Sequence, residues 1–152
     1  MKLIRIPRTG PIEQNLEASD VVADVVESTR NLYERSGYLE PWIGYLAFEG
    51  EQYVGTCAFK SKPQKGRVEI AYFTFPEFQG RGFGTQMAKA LVEIAQGENP
   101  KIIVIAQTAP EESPSNSVLK KIGFKFVDVI DHPEDGEIWE WHLDPSRKSE
   151  LI

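Results

Sequence analysis

The chain reads as a single domain of the mixed α/β (α+β) class: a mostly antiparallel sheet with one parallel pair at its centre and helices on both faces. Two observations predict this. Residues 43–75 hold apolar and β-branched runs separated by short turns, the pattern of an antiparallel meander. Residues 67–107 then run strand, helix, strand, and a crossover of that kind returns the second strand parallel to the first.

The elements follow in order. Residues 3–6 are apolar apart from Arg5 and end at Pro7 and the Thr9-Gly10-Pro11 turn, so they predict a first strand. Ser19 and Asp20 supply a helix start. Val21, Val22, Val25, Val26, Thr29, Leu32 and Tyr33 form an apolar stripe at helical spacing, and Gly37 stands where a C-terminal cap belongs. Residues 38–42 break that pattern and place Trp42 at the floor of a pocket. Residues 43–48 and 52–60 form two strands around Glu49-Gly50-Glu51, and a turn with Pro63 and Gly66 leads to a strand over 67–75. A helix over 84–96 buries Met87, Ala88, Leu91, Val92 and Ala95. Residues 101–107 include Ile102-Ile103-Val104-Ile105, apolar on both faces as a central covered strand requires. A short helix carrying Val118, Leu119 and Ile122 ends at Gly123, and 124–130 with 137–143 form a hairpin. The domain is expected over 1–144, with 145–152 a solvated tail.

Composition narrows the function classes. The 152 residues carry a net charge of −6, which argues against nucleic acid or an anionic membrane as partner and favours a cationic substrate. No apolar run reaches the ~20 residues of a membrane span. The one cysteine, Cys57, excludes an internal disulfide, suits a reducing cytoplasm, and in its strand pattern reads as a buried thiol. His132 lies in an acidic turn without the ligand spacing of a zinc or calcium site, so no metal is expected. His142 reads as a satisfied surface histidine. Trp139 and Trp141 share a strand face and read as core or sheet-surface packing rather than a ligand box; taken as exposed positions they hint at a homodimer interface.

The functional signal is concentrated in residues 68–91. Pro76 stops a strand, Gly80, Gly82 and Gly84 allow backbone amides to approach a ligand, and a helix begins at once. Unpaired amides and the positive end of the helix dipole then converge, with Arg81 beside them, on a phosphate site. The loop lacks the Gly-Lys-[Ser/Thr] ending of a P-loop and the acidic second strand of a dinucleotide fingerprint.

The string Gln79-Gly80-Arg81-Gly82-Phe83-Gly84 resembles the Gln/Arg-x-x-Gly-x-Gly/Ala signature of the GNAT-superfamily N-acetyltransferases. Lys121-Ile122-Gly123-Phe124 resembles that family's second motif, and residues 134–141 are similar to its RimJ/RimL-like branch. The resemblance covers roughly 40–143. It implies that the parallel pair splays apart and that acetyl-coenzyme A lies along Phe73, Thr74, Phe75, Gln79, Gly80, Arg81, Gly82, Phe83, Gly84 and Thr85. The amides of Phe73 and Phe75 would bind the acetyl carbonyl and pantetheine. Trp42, Tyr45 and Tyr72 would line the acceptor site. Glu69 would be the general base, its carboxyl pushed up by desolvation between Val68 and Ile70; the alternative is a structural glutamate paired with Arg67 or a lysine.

The tyrosine that many members place four residues before the motif glycine is Leu119 here, so Ser113, a water, or no group serves the leaving thiolate. The implied activity is transfer of acetyl from acetyl-coenzyme A to a primary amine by direct attack, the acceptor being a protein N-terminus or a small amine. The alternative is an acyl-coenzyme A-binding module with impaired catalysis. A nucleotide-binding protein using the same loop is a third class.

Overall fold

A computed structural model describes residues 1–12 and 19–145. Along the chain come β1 (Lys2–Arg5), α1 (Asp20–Ser36), β2 (Gly44–Glu49), β3 (Gln52–Phe59), β4 (Arg67–Thr74), α2 (Phe83–Glu98), β5 (Ile103–Thr108), α3 (Pro114–Ile122), β6 (Lys125–His132) and β7 (Gly136–Leu143). The strands form one sheet in the order β1-β2-β3-β4-β5-β7-β6. Only β4 and β5 are parallel; the other neighbours are antiparallel. The expected tail beyond Pro145 lies outside the described residues.

Each helix is fixed by local chemistry. Ser19 caps α1, its hydroxyl accepting from the Val22 amide, and Gly37 closes the other end with φ +88 and its amide on the Tyr33 carbonyl. Tyr33 then ties α1 to the sheet: its hydroxyl donates to the Ile6 carbonyl and accepts from the Gly44 amide, both at 2.8 Å. Gly44 lets α1 come this close, because a Cβ there would sit 2.5 Å from Thr29 Cγ2. In register, Gly44, Ala58 and Ala71 share the α1 face. The opposite face carries α2, whose Met87, Ala88, Leu91, Val92 and Ala95 are buried as their spacing predicts. Leu119 of α3 is also fully buried.

The central pair splays. β4 and β5 are in register from Arg67↔Ile103 to Ile70↔Ala106, after which β4 continues to Thr74 without β5 beside it. β5 instead follows β7 out to Thr108↔Trp139.

The hairpin differs from expectation at both ends. It starts at Lys125 because the Phe124 amide is used on the Leu119 carbonyl to close α3, and it extends to His132↔Gly136, leaving a shorter turn. Trp141 is a core residue, 3% exposed, with Nε1 donating to the Thr108 hydroxyl. It is therefore not one of two exposed tryptophans, and that ground for a homodimer falls. Trp139 packs edge-on against Phe126. Among the described residues, no helix is long and apolar enough to cross a membrane, and no three His, Cys, Asp or Glu side chains are grouped to hold a metal.

Candidate active site

Three cavities meet where β4 leaves β5. The first, about 570 Å³, lies at the start of α2 and is lined by Thr74, Gln79, Gly80, Gly82, Gly84 and Thr85 among others. Gly80 and Gly82 have φ +80 and +83, a conformation that disfavours any residue with a Cβ. Gly82 caps α2 without a side-chain hydrogen bond, and the first helical bond runs from the Gln86 amide to the Gly82 carbonyl. The amides of Phe83, Gly84 and Thr85 therefore open the helix with no intrahelical partner, as an anion site requires. Gln79 reaches back to the Thr74 carbonyl at 3.4 Å and pins the loop to the strand end. Arg81 lies over the Phe78 ring, 5.6 Å from its centre, at the rim of the loop.

The second cavity, about 350 Å³, is the cleft between the parted strands, walled by Ala71, Tyr72, Gln107, Thr108, Ser113, Ser115 and Leu119. The Ser113 hydroxyl points at Asn116 Oδ1 at 3.4 Å. Asn116, fully buried, donates to the Glu111 carbonyl at 2.8 Å and holds the loop before α3 in place. The third cavity, about 500 Å³, is a groove between α1 and the sheet, lined by Val21, Val25, Leu32, Cys57, Ala58 and Phe73, with Asp24 and Arg35 among its polar residues. Tyr72 lines all three.

The amides of β4 take the opposite phase to the one expected. Phe75 donates its amide to the Val54 carbonyl, and Lys60 donates to the Glu69 carbonyl. Backbone groups alternate sides along a strand, so residues 69, 71, 73 and 75 all turn toward β3, Phe73 opposite Thr56. The Phe73 and Phe75 amides are thus committed to the β3 ladder. Those of Tyr72 and Thr74 face the side that β5 has vacated.

Glu69 projects from the α1 face beside the start of the splay, in line with Ile105 and His142 across the sheet. It is not an isolated desolvated carboxyl. Lys60 Nζ stands 2.8 Å from its Oε2, an ion pair that lacks the direction of a good hydrogen bond. On the same face His142 Nε2 lies 3.1 Å from Glu140 Oε2, both side chains largely buried. Sequence reasoning missed Gln107 and Glu140, since only the register of β5 against β7 brings them together near the opening.

Trp42 and Tyr45 are not brought to this site. Trp42 lines a separate recess with Tyr38, Leu39 and Lys62 and packs on Phe59. Tyr45 is buried, its hydroxyl donating to the Pro41 carbonyl at 2.7 Å. The residues before β2 form a tight turn, the Trp42 and Ile43 amides donating to the Leu39 and Pro41 carbonyls. Cys57 is buried, and burial pushes its thiol up to about 12, so it is not a nucleophile at neutral pH.

Unpartnered amides opening a helix beside a cleft between splayed parallel strands mark a class of fold, and the chain belongs to a family of it: the acetyltransferase (GNAT) domain family matches residues 7–125. Among individual relatives, it is 30% identical over 91 residues to the uncharacterized N-acetyltransferase YnaD of Bacillus subtilis (strain 168). That match takes in 57% of this chain and 52% of the other, so the chain spans about half the length of that relative. RimL, a ribosomal L7/L12 alpha-N-protein acetyltransferase in complex with coenzyme A, superposes with a TM-score of 0.65 at 19% identity, covering 86% of this chain and 75% of RimL. A Bacillus subtilis acetyltransferase in complex with coenzyme A gives 0.63 at 21% identity, covering 86% and 95%. The putative acetyltransferase yncA of Salmonella typhimurium, with acetyl-coenzyme A, gives 0.64 at 18%, covering 79% and 73%. At such identities these likenesses are of fold.

Proposed function

We propose that this protein transfers an acetyl group from acetyl-coenzyme A to a primary amine. The observation that carries the reading is the run of uncapped amides at the start of α2, opening into a cavity whose wall residues Tyr72 and Ser115 also line the cleft between β4 and β5. A diphosphate fits the first and an extended thioester arm the second. Gly80, Gly82, Phe83, Gly84 and Thr85 hold the diphosphate, with Arg81 at the rim, and the Tyr72 and Thr74 amides face the arm.

The acceptor enters from the α1 groove. Its walls are largely apolar, with Asp24 and Arg35 both among the polar residues, which suits an amine on an apolar or extended carrier. Structural likeness to RimL, a protein that acts on a ribosomal protein's alpha-amine, adds a protein N-terminus to the small amines as acceptor class. Glu69, on the groove face beside the opening, takes up the amine proton. The buried Cys57 thiol offers no acyl carrier, which favours direct attack over a covalent intermediate.

The test pairs calorimetry of coenzyme A binding with thiol release from acetyl-coenzyme A across a panel of amines and N-terminal peptides. Binding with amine-dependent thiol release is expected. Binding without release from any amine supports the impaired module instead, and tighter binding of ATP or NAD than of coenzyme A removes the reading altogether. Labelled acetyl-coenzyme A without acceptor should leave no stable acetyl-protein.

A further inference from the structure

We propose that the Tyr72 hydroxyl is the hydrogen-bond donor to the leaving sulfur, stabilising the thiolate that forms as the thioester is cleaved. The inference rests on the acetyl-transfer reading above and assigns a step that reading leaves without a residue. Tyr72 lies on the α2 side of β4, in register with Cys57. Its ring passes over the start of α2, with Cε2 3.8 Å from where a Cβ on Gly84 would sit. It lines the diphosphate cavity, the cleft and the acceptor groove.

The hydroxyl at the end of this ring is buried and makes no directed hydrogen bond among the described residues. The Ser115 hydroxyl is near enough to favour the phenolate somewhat, but it is not directed into a proper bond. Buried donors in folded proteins nearly always have an acceptor, so one left open on the α2 side of β4, on a residue that lines both the diphosphate cavity and the cleft, calls for a partner that arrives with a ligand. On the α3 side the one hydroxyl shared by both cavities is that of Ser115, which lies against the Tyr72 phenol, and the variant below separates the two. Val118 and Leu119 are apolar, and Ser113 is directed at Asn116.

The chemistry decides between a donor and an acid. The amine nitrogen bonds to the carbonyl carbon, the carbon–sulfur bond breaks, and its electron pair stays on sulfur; the proton lost from nitrogen goes to Glu69 and on to water. A free thiol ionises near ~8.5, whereas burial pushes the Tyr72 phenol up to about 12. The proton therefore stays on the phenol oxygen. Tyr72 lowers the energy of the thiolate through a charge-assisted hydrogen bond, and the thiolate is protonated by water on release.

The experiment is an ultraviolet titration of the coenzyme A thiol bound to the protein, with the desulfo-coenzyme A complex as blank, in wild type and in Tyr72→Phe. In wild type the bound thiol should ionise at lower pH than free coenzyme A. In Tyr72→Phe that ionisation should rise by about one pH unit or more, a tenfold change in its constant, while coenzyme A affinity at neutral pH holds and turnover falls at least about tenfold. Equal thiol ionisation in the two complexes overturns the proposal. So does a wild-type bound thiol that ionises no more readily than the free one, a result that does not depend on the variant folding. Failure of wild type to bind coenzyme A would instead sink the acetyl-transfer reading, and this inference with it.

Discussion

Replacing Gly82 by Asp separates the anion cradle from the fold that carries it. Gly82 adopts φ +83 and ψ 8 at the cap of α2, and a Cβ there meets nothing within 4 Å. The substitution therefore creates no clash; its structural cost is the left-handed backbone alone, roughly 1–2 kcal/mol. Set against the ~5–15 kcal/mol of a typical domain, the variant stays folded. Binding suffers more. A carboxylate about 5 Å from a phosphate charge repels it by ~0.8 kcal/mol in water and ~3 kcal/mol at an effective dielectric of about 20. At 1.4 kcal/mol per decade, that is roughly four- to 150-fold in affinity per phosphate charge. Gly82→Ala carries the same backbone strain without the charge and serves as the control. Calorimetry with coenzyme A should show a large loss for Asp, a smaller one for Ala, and a gap between them that narrows as salt is added. A folded Gly82→Asp protein with unchanged affinity would refute the cradle.

Three further outcomes are expected. Glu69→Gln should lower the rate of acetyl transfer by roughly 10²–10⁴ with acetyl-coenzyme A affinity little changed, and activity should recover as pH rises and solvent deprotonates the amine; near wild-type turnover at pH 7 would end the assignment. Gly44→Val should lower the melting temperature steeply, since its Cβ alone would lie 2.5 Å from Thr29 Cγ2, with a destabilisation of ~1–3 kcal/mol or more read by denaturant titration. For Cys57 the thiol ionises near 9.0 when unfolded and about 12 when folded. The unfolded state thus holds fewer protons above pH 9, so this contribution is complete below pH 9 and is lost as pH climbs toward 12. Cys57→Ala should flatten that alkaline decline in chemical denaturation, and an unaltered slope would show that other groups cause it.

Local chemistry determined most of the elements. The valine stripe, Ser19 and Gly37 define α1, the glycines and Pro76 mark the loop before α2, and Gly123 ends α3, because caps, turns and helical spacing act within a few residues. The same locality made the run of unpartnered amides at the start of α2 legible, since they are consecutive backbone groups in residues 83–85. The tertiary structure decided everything that depends on phase and on distant partners. Side chains and amides alternate along β4 with a period of two, so one residue of register moved the free amides from Phe73 and Phe75 to Tyr72 and Thr74. Lys60 reaches Glu69 only because β3 runs antiparallel beside β4, and Gln107 meets Glu140 only because β7 pairs with β5. Chain position and family resemblance make Trp42 and Tyr45 pocket residues, but packing turned one to a separate recess and the other into the core. The Tyr72 hydroxyl is the furthest from sequence: that it makes no directed hydrogen bond among the described residues depends on where β4, α2 and α3 place their groups around it, and no local pattern encodes that.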